Sequence, residues 1–177
     1  IGKTVGIETG ATLYNIPGLG MEQLPFDSDQ PLIGPHFAIL VPGNLFCKIP
    51  IGPFTTKLIA GGFSWWNINH RINEGNMDRA FRNYENWEVL NTDLTYEDQL
   101  GFGYLGGVEF QLKLNDNLSL STEVLYLVGY AKAELTGSYT GVENSQSDII
   151  TKTVNITDAR TTLQGLELSL GAVFSVR

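Results

Sequence analysis

Hydrophobic and polar positions alternate with a period of two through most of this chain, the spacing of extended strands rather than of helices. From Gly101 to Leu114 the sequence reads GFGYLGGVEFQLKL. Phe102, Tyr104, Val108, Phe110, Leu112 and Leu114 fall on one face, and Gly101, Gly103, Gly107, Glu109, Gln111 and Lys113 on the other. After a tight turn at Asn115-Asp116-Asn117, a second strand sets Leu118, Leu120, Val124, Tyr126, Val128 and Tyr130 against Ser119, Ser121 and Glu123. A turn of that length pairs Leu114 with Leu118. Stepping back along the hairpin then puts Glu109 opposite Glu123, Tyr126 opposite Gly106 and Phe102 opposite Tyr130.

The last segment repeats the design, with Leu166, Leu168, Leu170, Ala172, Phe174 and Val176 against Gly165, Glu167, Ser169, Gly171, Ser175 and Arg177. The first does so more weakly, with Val5, Ile7, Ala11 and Leu13 against Thr4, Gly6, Glu8, Gly10 and Thr12. Residues 33–51 and 54–68 read as a further hairpin turning at Gly52-Pro53. Pro42-Gly43 interrupts its first strand and predicts a bulge, because proline donates no hydrogen bond to a ladder. The connections alternate: long after the first strand, tight at Gly52, long after Asn69, tight at Asn115, long after Thr140.

That alternation is the plan of a transmembrane barrel, with short periplasmic turns and long extracellular loops. The strands GFGYLGGVEFQLKL, LSLSTEVLYLVGYAKAEL and LQGLELSLGAVFSVR, joined through NDN and KIPIGPFTTK turns, resemble the small eight-stranded outer-membrane barrel proteins, including barrel domains of Bacteroidota-type envelopes. The resemblance covers most of the chain and rests on pattern, without a diagnostic short motif. It implies an all-β, antiparallel up-and-down transmembrane β-barrel formed by residues 1–177 as a single domain in a bacterial outer membrane. Six strands read directly where the family has eight. Either an N-terminal hairpin is missing before Ile1, or residues 80–89 and 149–156 supply further strand. The chain also ends on Arg177, where many members of the family end on an aromatic residue.

Alternation alone does not separate a membrane barrel from a soluble, lipocalin-like ligand-binding barrel, since turning the wall inside out keeps the period. The glycines favour the membrane reading, because small side chains suit a crowded interior and contribute nothing to solubility. Aromatic residues toward the long-loop ends, among them Tyr14, Trp65, Trp66, Phe102, Tyr104, Tyr126, Tyr130 and Tyr139, fit an interfacial girdle. In the soluble alternative Phe102, Phe110, Tyr126 and Phe174 would line the pocket.

On the small, polar face lie Glu8, Glu109, Glu123 and Glu167, one on each of four strands. Opposed carboxylates need a cation or a shared proton. Lys48, Lys57 and Lys113 are the inward candidates, with Lys132 and Arg177 at the rims. Two readings follow, an ionic network that fills the barrel or the constriction of a narrow channel for protons, ions or small solutes. The first suits an eight-stranded wall, which holds side chains but no open channel.

The net charge is -8, and the 11 Lys and Arg are dispersed, which argues against a nucleic-acid partner. A single cysteine, Cys47, excludes an internal disulfide framework, and no cofactor or metal motif is present. His36 and His70 belong to no recognisable nucleophile–base constellation, so the expectation is a noncatalytic protein. The long loops are acidic, with Glu22, Asp27 and Asp29 in the first and Glu74, Asp78, Glu85, Glu88, Asp93, Glu97 and Asp98 in the second. Within the second, Met77, Phe81, Tyr84 and Trp87 are contact candidates, which packing onto the barrel mouth would explain equally. The expectation is a structural or interaction role in the envelope, alone or as a subunit of a larger assembly, with outer-membrane lipid and other envelope proteins as partners.

Overall fold

The structure, a computed structural model, describes residues 4–115, 117–143 and 148–174. Asp116, Ser175, Val176 and Arg177, used above for a turn, a strand end and a rim cation, lie outside the described residues. The strands are β1 (Val5–Thr9), β2 (Thr12–Ile16), β3 (Met21–Glu22), β4 (His36–Ile51), β5 (Phe54–Ile68), β6 (Trp87–Asp98), β7 (Gly101–Lys113), β8 (Leu118–Glu143) and β9 (Ile149–Phe174). One helix, α1 (Glu74–Glu85), precedes β6.

All the strand pairings are antiparallel. β1 and β2 both pair with β4, while β6 and β7 both pair with β8, so the sheet has six lanes in the order β1/β2, β4, β5, β6/β7, β8, β9. The expected hairpin registers hold: Glu109 pairs with Glu123, Tyr126 with Gly106, Phe102 with Tyr130. Ile51 pairs with Phe54 across a turn in which Gly52 takes a positive φ of 63°, the conformation a two-residue hairpin asks of glycine.

Several expectations are corrected. The sheet is not closed into a barrel. Six lanes span less circumference than eight, and no ladder joins β1 to β9 among the described residues. The two ends approach where β3, which follows β2, pairs Met21 and Glu22 with Thr161 and Arg160 of β9, and where the Tyr14 hydroxyl donates to Glu167. Nor does β4 bulge at Pro42-Gly43: its register with β5 is unbroken from Phe37 to Ile51. The missing N–H of Pro42 falls instead opposite the interruption between β1 and β2. The stretches expected as long loops after Asn69 and Thr140 are largely regular. Residues 87–98 extend the lane of β7, which keeps β8 paired as far as Glu143; of the two stretches expected to supply further strand, 149–156 does, whereas 80–85 belongs to the helix and strand begins at Trp87.

Helix α1 stands where the sequence was read as part of a long loop. Asn73 caps it, its side chain accepting from the Asn76 amide at 3.3 Å, and Asn86 ends it in the left-handed conformation. Met77, Ala80 and Phe81 form its buried stripe, continued by Phe26, Trp87 and Tyr139. Asp78 accepts from both the amide and the hydroxyl of Thr92 at 2.8 and 2.7 Å, fixing the helix to β6. Helix α1, the segment between β2 and β4 with its buried Leu19, Phe26, Leu32 and Ile33, and the upper strands thus form a packed cap at one rim, while the other rim carries the tight turns at Gly52 and Asn115. The buried side chains form one cluster, from Ile59, Phe63, Leu105, Leu125 and Leu127 on the inner face up to Trp65, Leu32, Ile33 and Met77.

Candidate functional site: the polar interior

Parity carries Glu8, Lys57, Glu109, Glu123 and Glu167 to the inner face, and register decides which of them meet. Lys57 pairs across the ladder with Glu109, and Glu109 with Glu123, so three charges stand side by side on β5, β7 and β8. The Lys57 ammonium donates to Glu109 at 3.0 Å and also to Glu8, which reaches it diagonally from β1. The Lys57 and Glu109 side chains are each 9% exposed, so this pair is largely withdrawn from water. Gln111 donates to the second oxygen of Glu109 at 2.7 Å, and Glu167 accepts from Tyr14. No hydrogen bond to Glu123 occurs among the described residues.

Of the three candidate lysines, Lys57 is the one hydrogen-bonded to these carboxylates among the described residues. Lys48 is its cross-strand partner, and both ammonium groups sit over the Phe46 ring, at 5.3 Å for Lys48 and 4.9 Å for Lys57. Lys113 is exposed near the turn at Asn115, and Lys132 is exposed on β8. Sequence parity places residues on a face but does not say how far along the strand each lies from the next lane's charges. Gln111 stands on the inner face as parity placed it, whereas Tyr14 and Asn44, which carry no charge, were missed as members of this network.

A cavity of about 250 Å3 opens beside this network, lined by Glu8, Thr12, Tyr14, Asn44, Lys57, Glu123 and Glu167 on its polar side and by Leu40, Leu105, Leu125 and Leu127 on its apolar side. Gly61 matters here. A Cβ at this inward position would run into the Asn44 amide oxygen, so glycine leaves the space that oxygen occupies.

The cap holds a second polar group, which the sequence did not disclose. His36 and His70, far apart in sequence, belong to one network. The His36 ring nitrogens face the Gly34 carbonyl at 2.8 Å and the Asn67 amide oxygen at 2.9 Å, Asn67 donates to Asp98, and Asp98 lies 3.5 Å from His70. Tyr96 packs edge-on against the His70 ring at 4.8 Å. The arrangement ties the upper ends of β4, β5 and β6 together, beside a rim cavity of about 350 Å3 that His70, Arg71, Glu74, Asp93 and Tyr96 help to line.

Of the four contact candidates in the cap, Met77, Phe81 and Trp87 are buried and pack as its core, whereas Tyr84 is 52% exposed. Glu85 accepts from Lys152 at 2.6 Å and from Tyr139, anchoring the helix end to the β8–β9 ribbon. Burial pushes the Glu85 carboxyl up, but the two hydrogen bonds and the Lys152 charge outweigh it and hold the group below its ordinary value. Against known proteins, the chain matches no family model and no curated protein.

Proposed function

We propose that this chain supplies part of the wall of an outer-membrane barrel, as an open antiparallel sheet facing lipid, with a noncatalytic structural or interaction role in a bacterial envelope and its cap turned outward. One observation carries the reading. Every lane presents large apolar side chains outward and exposed, among them Ile7, Leu45, Leu58, Phe110, Tyr126, Leu168 and Leu170, the last two 71% and 84% exposed. A soluble protein rarely exposes a contiguous apolar patch beyond a few hundred Å2.

The order of side chains along this face supports the same reading. One transverse row runs Val5, Cys47, Leu58, Val108, Val124, Leu168 across all six lanes. Toward the cap come Trp66, Phe102, Tyr104 and Tyr130, and toward the tight turns Phe54, Phe110 and Phe174, so aromatic side chains flank an aliphatic middle as they do in membrane barrels. The stretch from Leu118 to Tyr130, at ~3.3 Å per residue and a tilt of ~40°, rises on the order of 30 Å, enough for a hydrocarbon layer. Beyond it the outward face of β6, β8 and β9 turns to Asp93, Thr95, Thr136, Ser138, Thr153 and Asn155.

The lipocalin-like alternative has less support, because Phe102, Phe110, Tyr126 and Phe174 are exposed rather than lining a pocket. The channel alternative has less as well, since Ile59, Phe63, Leu105, Leu125 and Leu127 fill the inner face above the carboxylates. Of the cap's four contact candidates, partner contact falls to the exposed Tyr84. The test is fractionation followed by electrophoresis with and without boiling. Recovery with membranes and a heat-dependent mobility shift are expected. Recovery in the soluble fraction with no shift would defeat the proposal.

A further inference from the structure

Charge is absent from the outward face of the wall until its edge toward the cap. Of the basic residues on the strands, Lys48, Lys57 and Lys113 stand on the inner face, and Lys152 is bonded to Glu85 in the cap. Lys132 and Arg160 are the two on the outward face among the described residues, and they are direct cross-strand partners on β8 and β9. Like charges placed opposite each other repel. In a chain with a net charge of -8, the two outward cations of the wall stand side by side, and among the described residues neither is ion-paired. Glu22, opposite Arg160 on β3, and Glu134, the next outward residue on β8, border the pair without bridging it.

The level of this pair is a second, independent observation. One step toward the tight turns comes the row Phe102, Tyr130, Thr162, and the Arg160 guanidinium lies over the Tyr130 ring at 5.5 Å, which holds it against the outer surface. Below that the β8–β9 pairs Tyr126–Leu166 and Val124–Leu168 give acyl chains an apolar track. Cations over aromatic side chains over an aliphatic band is the order of a headgroup layer above hydrocarbon.

We propose that Lys132 and Arg160 bind the phosphate monoester headgroup of a lipid in the cap-side leaflet, whose chains lie on the β8–β9 track. A phosphate monoester carries about -1.5 to -2 charge near neutral pH and three acceptor oxygens, so one such group matches two cations. The Arg160 fork takes two of the oxygens, and the Lys132 ammonium takes the third as a point charge. The apolar track beneath the pair favours a lipid over free phosphate, which would meet the cations alone. The inference rests on the lipid-facing reading of the wall and names the lipid chemistry it selects.

The test is electron spin resonance of the full chain in phosphatidylcholine vesicles doped with spin-labelled phosphatidic acid or spin-labelled phosphatidylcholine, reading the fraction of label immobilised at the protein surface. Selection of phosphatidic acid over phosphatidylcholine by at least threefold is expected. Lys132→Gln combined with Arg160→Gln should bring that ratio close to one, while Arg79→Gln with Arg82→Gln, which removes the same charge from the exposed face of α1, should leave it unchanged. Equal immobilisation of the two lipids by the wild-type chain, or a ratio that survives loss of both cations, would overturn the proposal and leave the lipid-facing wall standing. No immobilised component with either lipid would overturn both.

Discussion

Replacing Lys57 by methionine keeps the length and apolar stem of the side chain and removes only its ammonium. Glu8 and Glu109 then face each other and Glu123 with no cation among them. Removing one partner of a buried pair costs about 3–5 kcal/mol, because the remaining charge is stranded. Glu109 takes that cost nearly in full, its side chain being 9% exposed, whereas Glu8, at 30%, keeps part of its hydration. The lower end, about 3 kcal/mol, is therefore expected for Lys57→Met. The assay is urea unfolding of the micelle-embedded protein followed by tryptophan fluorescence. Adding Glu109→Gln to Lys57→Met should recover about half of the loss, since neutralising the stranded carboxylate removes the larger penalty. A cost below ~0.5 kcal/mol for Lys57→Met, or no relief from the second substitution, would refute the ionic account of the interior.

Three further outcomes follow from the cap and the inner face. Met77→Ala empties a fully buried site between α1 and the sheet and should cost about 2–5 kcal/mol, whereas Tyr84→Ala, at an exposed position, should stay within ~0.5 kcal/mol in the same unfolding assay. Because Glu85 is held below the ordinary 4.5, its contribution is present above that pH and lost as pH falls through the lowered value, so the stability gap between wild type and Glu85→Gln should close on acidification below pH 4.5. Gly61→Ala drives a methyl group into the Asn44 amide oxygen and the Gly43 carbonyl and should cost about 1–3 kcal/mol, while Gly43→Ala, where a Cβ meets nothing within 4 Å, should be near neutral.

The β7–β8 register was legible because the tight turn at Asn115 fixes which residues face each other, and everything from Glu109–Glu123 to Phe102–Tyr130 follows from it. The upper halves of the same ribbon were not. Outside the apolar band the outward face becomes Asp93, Thr95, Thr136 and Thr153, which read as loop, and irregular register at Trp87/Val89 and Ala133/Leu135 breaks the alternation that marks a strand. Helix α1 hid for a related reason: its buried stripe is short, and most of its remaining residues are charged or polar, leaving the cap at Asn73 as the clearest local signal. Parity foretold the inward carboxylates. That Lys57 meets two of them, and that His36 and His70 share one network, depends on registers between lanes that no single strand encodes.

The central claim is that side chains at alternate positions on the wall touch lipid. With Cys47→Ser as background, single cysteines at Leu166, Glu167, Leu168, Ser169, Leu170 and Gly171 would carry a fluorophore in vesicles containing brominated lipid. The account predicts quenching at Leu166, Leu168 and Leu170 and little at Glu167, Ser169 and Gly171. Quenching that does not alternate along β9, or none at any of the six, would contradict it.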